Sequence, residues 1–211
     1  MICISISGAG EIRKLAGTAV ELIELRLDMI GTDPAAIYPF IPDGCKTIAT
    51  CRPGTRKDTV RMEWMKSAMN LGANMIDVEL EAEESYLEEL RGHAEAKGTE
   101  LIVSYHQFDT TPERDVLAER YRQCFNRGGA IAKLATQIRS KEDLLNLLSL
   151  YELSGRKVLL GMGPMGRISR IIAPYLGSEF TFASPGGGLE TAPGQLDFRQ
   201  LTEIYQVINQ S

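Results

Sequence analysis

Histidine is nearly missing from this chain: His93 and His106 are the only two. That excludes a metal centre built on several imidazoles, though not a carboxylate-only magnesium site. Cysteine is sparse as well. Its four copies, Cys3, Cys45, Cys51 and Cys124, form no C-x-x-C pair, and Cys3 and Cys51 lie in apolar runs where a small core residue is expected. Lysine and arginine form no cluster, and a formal net charge of −5 gives no basic field for nucleic acid. No apolar run is long enough to cross a bilayer, and Met1-Ile2-Cys3-Ile4 has no basic signal-peptide start. A cytoplasmic protein without nucleic-acid or membrane partners is expected. Linkers and low-complexity segments are also missing, so residues 1–211 are read as one domain.

What the chain does have is a regular alternation. Strand-like runs fall at 2–7, 20–27, 47–51, 75–80, 100–104, 130–134, 157–162 and 179–183. Between them lie helix-like segments at 11–16, 34–38, 58–71, 83–97, 112–125, 140–153, 166–176 and 197–209. Pro112 after Thr111, and Ser140 three residues before Asp143, read as helix starts. Eight βα units imply parallel strands with crossover helices. Their even spacing without a break favours a closed (β/α)8 barrel, a lean version of the TIM barrel, over an open doubly wound sheet.

In such a barrel, chemistry gathers where strands end and loops begin. The run from Gly128 to Ala135 is apolar at nearly every position except Lys133. A lysine in an apolar strand is costly as an ammonium, and as a neutral amine it is a nucleophile towards carbonyl carbon. Glu24, Arg26 and Asp28 alternate in strand two, so period two puts them on one face. Strand three ends at Arg52, strand four at Glu79, strand five at His106 and strand seven at Met162, with Arg167 and Arg170 following. Strand eight runs into a Gly/Pro-rich loop, 184–195. Each of these has an ordinary structural explanation on its own. Five or more strands aiming ionisable groups at one mouth is better explained by a shared site.

Burial and nearby arginines would lower the pKa of Lys133 enough for it to attack a ketone, and the resulting imine would acidify the neighbouring carbon. His106 would then shuttle protons while Glu79 fixes its tautomer. Arginines imply a carboxylate on the substrate and acidic residues imply hydroxyls, which together suit a polyhydroxylated keto acid undergoing aldol cleavage or loss of water. Gly161-Met162-Gly163-Pro164-Met165-Gly166 matches G-x-G-x-x-G, but the dinucleotide fingerprint expects an acid about 20 residues on and Glu179 comes too early. A tight turn where a small anion approaches the backbone is expected instead.

Taken together, the chain resembles the type I 3-dehydroquinate dehydratases, short form without an N-terminal hairpin. The resemblance runs along essentially the whole chain. It rests on Glu24-Leu25-Arg26-Leu27-Asp28, Ala49-Thr50-Cys51-Arg52, Asp77-Val78-Glu79-Leu80, Ser104-Tyr105-His106-Gln107-Phe108, Ala132-Lys133-Leu134-Ala135, Gly166-Arg167-Ile168-Ser169-Arg170 and Ala192-Pro193-Gly194-Gln195. It implies an imine between Lys133 and the C3 ketone of 3-dehydroquinate, with His106 as general acid/base and Glu79 orienting it. It implies Arg170 on the substrate carboxylate, and Glu24, Arg26, Arg52 and Gln195 on the ring substituents. Met162 and Phe182 would form apolar walls, Ser5 a weaker contact, and Thr191 stands where the family has serine. Gln107 replaces the usual aspartate. The product would be 3-dehydroshikimate, with no cofactor and no metal, in the shikimate pathway of aromatic amino acid and chorismate biosynthesis. The expected partners are the small-molecule substrate and a second copy in a homodimer. Another lysine Schiff-base aldolase of this fold, or a non-catalytic metabolite-binding barrel, are the alternatives.

Overall fold

The structure is a computed structural model that describes residues 1–15, 20–54, 56–192 and 194–210. Ala16, at the end of the first expected helix, and Pro193, in the expected 184–195 loop, lie outside the described residues.

Apolar runs form eight strands: β1 (Ile2–Ile6), β2 (Leu22–Arg26), β3 (Lys46–Thr50), β4 (Met75–Glu79), β5 (Glu100–Gln107), β6 (Ile131–Gln137), β7 (Lys157–Met162) and β8 (Thr181–Ala183). The helices are α1 (Ala9–Lys14), α2 (Leu27–Ile30), α3 (Asp58–Asn70), α4 (Glu84–Lys97), α5 (Arg114–Asn126), α6 (Lys141–Leu148), α7 (Arg167–Ile172) and α8 (Phe198–Asn209). All strand pairings are parallel, in the order β7-β6-β5-β4-β3-β2-β1-β8. The seam between β7 and β8 is bridged just before β8, where the Glu179 amide donates to the Lys157 carbonyl at 3.0 Å. The result is a nearly closed (β/α)8 barrel, as the alternation predicts.

Side chains alternate across each strand, and the barrel sorts them by depth. One set faces the helices: Ile23, Ile76, Val103, Ala132, Leu134 and Leu159 pack with Met65, Leu87, Leu90, Leu117 and Leu147 in the outer core. The other set fills the interior. Its lowest tier is apolar, with Cys3, Leu22, Ile48, Met75, Ile102, Ile131, Val158 and Phe180 in one cluster. Two residues further along each strand lie Ser5, Glu24, Thr50, Asp77, Ser104 and Lys133, all buried, with Leu160 and Phe182 completing the tier. Two residues on again stand Arg26, Arg52, Glu79, His106 and Met162, at the mouth. A polar tier resting on an apolar floor is the frame that positions the site.

Some boundaries differ from those expected. β5 and β6 both run past Ser104 and Leu134, because the ladder continues through Tyr105↔Leu134, His106↔Ala135 and Gln107↔Thr136. Polarity on one face of a strand does not end its hydrogen bonding. α5 begins at Arg114 rather than Pro112, since the Thr111 hydroxyl is drawn across to the Gln137 carbonyl at 2.7 Å and the chain stays extended. Residues 34–38 form short 3-10 turns, Pro34–Ala36 and Tyr38–Phe40, rather than a helix. Ser140 and Asp197 each close a capping box on the following helix. At the floor end, a cavity of about 700 Å³ lies between the starts of β1 to β3 and α8, beside Phe198 and Thr202.

Candidate active site

Lys133 sits in the middle tier with 5% of its surface exposed. Its Nζ donates to Asp77 Oδ2 at 2.7 Å and lies 3.6 Å from Glu24 Oε1. Phe182 is stacked beneath it, with Nζ 4.3 Å from the ring centre. The charges nearest the amine are therefore carboxylates, where the sequence suggested arginines. Each carboxylate is fixed from its other side. Glu24 accepts from Ser5 at 2.5 Å and Thr50 at 2.9 Å. Asp77 Oδ1 accepts from Ser104 at 2.6 Å and pairs with Arg52 at 2.8 Å. Burial alone would push the Asp77 carboxyl up. Arg52 first, then Lys133 and His106, outweigh it and hold Asp77 well below the usual carboxylate range.

Arg52 joins three groups: Asp77, Glu79 at 3.0 Å and Ser104 at 3.0 Å. These acids raise its guanidinium pKa despite burial. His106 is held well below its ordinary pKa, mainly by burial and then by Arg52 and Lys133, with Asp77 acting the other way. Its surroundings thus favour the neutral imidazole. Phe108 stacks on it with ring centres 5.9 Å apart. The adjoining Gln107 accepts the Asp109 amide at 3.1 Å, so the departure from aspartate leaves the turn capped. At the rim, Arg26 makes a two-point pair with Asp28 at 2.8 and 3.1 Å.

A cavity of about 780 Å³ opens over these groups. Lys133, His106, Glu79, Glu24, Arg26, Arg52, Met162, Arg170, Phe182, Thr191 and Gln195 all line it. Arg170 is 1% exposed, and its Nε has no hydrogen-bond partner among the described residues. Burial pulls its pKa down, opposed by Glu190. A buried guanidinium with an unused donor beside a cavity is suited to an anion. Gln195 is held by its carbonyl oxygen, which accepts from the Thr191 amide at 2.9 Å and hydroxyl at 3.1 Å.

Three expectations need correction. Ser5 does not line the cavity: it is fully buried beside Glu24 and spends its hydroxyl there. Glu79 does not hydrogen-bond His106 among the described residues. Its oxygens go to Arg52 at 3.0 Å and to Arg61 at 3.1 Å, because two guanidiniums outcompete a neutral imidazole for a carboxylate. The glycines of 161–166 leave no room for an anion. A Cβ on Gly166 would lie 2.4 Å from the Gly161 backbone, and one on Gly194 2.4 Å from the Gly163 carbonyl. The turn is approached by the chain's own loop.

Sequence reasoning overlooked Asp77, although the signal was there. The period-two reading that put Glu24 with Arg26 also puts Asp77 with Glu79 on one face of β4, two positions deeper. Ser104, two residues before His106, and Thr50, two before Arg52, follow the same rule.

Fold and site together define a (β/α)8 barrel with a buried lysine, flanked by carboxylates, under an arginine-lined mouth. A solved 3-dehydroquinate dehydratase from Aquifex aeolicus VF5 has this fold, with a TM-score of 0.85, 27% identity and full coverage of both chains. A second, from Geobacillus kaustophilus HTA426, superposes with a TM-score of 0.86 at 24% identity, over 98% of this chain and 90% of that one. Proteins named 3-dehydroquinate dehydratase from Methanococcus maripaludis strain S2 and Methanocaldococcus jannaschii are 36% and 33% identical. They align over 99% of this chain and over 100% and 99% of their own lengths. The family model for type I 3-dehydroquinase matches residues 3–211, and the chain belongs to that family.

Proposed function

We propose that this protein removes water from 3-dehydroquinate to give 3-dehydroshikimate through an imine on Lys133. The observation that carries this reading is that Lys133, His106 and Arg170 face one cavity. Arg170 takes the substrate carboxylate, while Glu24, Arg26, Arg52 and Gln195 hold the ring substituents between Met162 and Phe182. Lys133 gives its proton to His106, which returns it to the departing carbinolamine hydroxyl, and the freed lone pair adds to the C3 carbonyl carbon. Loss of one water gives the iminium. His106, whose environment favours the neutral form, takes the C2 proton, and the electron pair moves into the enamine. The enamine then expels the C1 hydroxyl, which leaves as water with the proton held by His106. A second water hydrolyses the imine and restores the amine. Family membership, and a buried Arg170 lining the same cavity as Lys133 and His106, support the sequence over an aldolase and over a passive binding barrel.

We propose further that residues 1–211 work as a single catalytic barrel, in the cytoplasm, in the shikimate pathway and as a homodimer. No helix among the described residues is long and apolar enough to cross a membrane.

Borohydride reduction in the presence of 3-dehydroquinate, followed by peptide mass spectrometry, tests the chemistry. The expected result is an adduct on Lys133 alone, with turnover that Lys133→Ala lowers by ~10³-fold or more. Turnover without any adduct, or with an adduct on another residue, would sink the reading.

A further inference from the structure

Helix α3 turns a buried face made of Arg61, Met65, Ala68 and Met69 towards the barrel. Three of these are ordinary core residues. Arg61 takes the position four before Met65, where helical periodicity calls for another apolar side chain. It is 5% exposed. A guanidinium at such a position is costly unless paired, and a packed apolar residue would serve stability as well or better.

The pairs Arg61 makes run from the exposed Asp58 at the helix start to Glu79 at the mouth of the barrel. Its Nε donates to the Cys51 carbonyl at 2.8 Å, next to Arg52 in the chain. Its Nη1 meets Asp58 at 2.6 Å and its Nη2 meets Glu79 Oε2 at 3.1 Å, with the Tyr86 ring 4.9 Å away. Glu79 Oε1 then reaches Arg52 at 3.0 Å, Arg52 reaches Asp77 at 2.8 Å, and Asp77 reaches Lys133 at 2.7 Å. The row Arg61, Glu79, Arg52, Asp77, Lys133 alternates in charge from α3 to the amine. Asp77 and Glu79 share one guanidinium, that of Arg52, each on its own nitrogen. By engaging the second oxygen of Glu79, Arg61 confines that carboxylate to a single contact with Arg52.

We propose that Arg61 is a positioning residue for the Lys133 chemistry, acting through Glu79 and Arg52 to keep Asp77 oriented on the amine. This inference rests on the dehydratase reading above. A double-mutant cycle tests it, with Arg61→Met, Glu79→Gln and the pair compared with the unaltered protein for 3-dehydroquinate turnover. Arg61→Met is expected to lower kcat by ~10-fold or more with KM moving less, and Arg61→Lys to recover part of the loss. In the Glu79→Gln background, adding Arg61→Met should change kcat less than about twofold, because the link it acts through is already cut. Multiplying effects in the pair, or a folded Arg61→Met with unaltered kcat, would overturn the positioning role. Should Arg61→Met fail to fold, the same cycle is read with Arg61→Lys. If the unaltered protein shows no turnover of 3-dehydroquinate, the dehydratase reading falls and takes this inference with it. Turnover in the unaltered protein with independent single effects removes only the inference.

Discussion

Asp77 holds Lys133 on one oxygen at 2.7 Å and Arg52 on the other at 2.8 Å. One carboxylate thus fixes both the amine and the guanidinium that faces it across β4. Asp77→Asn keeps the shape and removes the charge, leaving two buried cations without their shared partner. Breaking a buried pair costs on the order of 3–5 kcal/mol, so chemical denaturation should show a loss of about that size. Turnover should fall by ~10²-fold or more, with slower borohydride trapping at Lys133. A variant within threefold of the unaltered rate would show that Asp77 only fills space.

His106 makes stability depend on acidity. Its folded pKa lies well below the ordinary value of about 6.5, so on acidification the unfolded chain takes up a proton that the folded one refuses. The contribution is fully present above pH ~6.5 and is lost as pH falls from there towards the folded pKa. Stability should therefore fall between pH 7.5 and 5.5. Unfolding curves at the two values should show that loss in the unaltered protein and a smaller one in His106→Asn. An equal loss in both would mean that the histidine is not shielded.

Ser5 acts on Glu24 and not on the cavity. Removing a hydrogen bond to a charged group costs about 1.5–3 kcal/mol, so Ser5→Ala should lower the unfolding free energy by that order. KM for 3-dehydroquinate should stay within about twofold. A tenfold rise in KM at unaltered stability would restore Ser5 as a direct contact.

How legible this was in the sequence depended on which distance was asked of it. Strand β7 is found where the apolar run places it, from Lys157 to Met162, because both ends are marked by a change of residue type. β5 and β6 are read too short, ending at Ser104 and Leu134, although the ladder continues through His106↔Ala135 and Gln107↔Thr136. The groups that meet at the mouth were visible because charge at a strand end is conspicuous. Period two puts Asp77 on the face of Glu79, but its meeting with Lys133 depends on depth, which the tilt and stagger of the closed barrel set and no local pattern encodes. Glu79 illustrates the same limit. Its choice of Arg61 over His106 is made by α3, whose packing brings in a competitor from 18 residues away.

Among the described residues, the apolar floor of Cys3, Leu22, Ile48, Met75, Ile102, Ile131, Val158 and Phe180 closes the barrel beneath the polar tier. In the proposed cycle, imine formation and elimination each release a water, and hydrolysis takes one back. The described tier beneath Lys133 offers them no polar path, whereas the mouth that admits the substrate is lined with polar groups. Ring and solvent therefore share one doorway, and the order in which they use it is part of the chemistry.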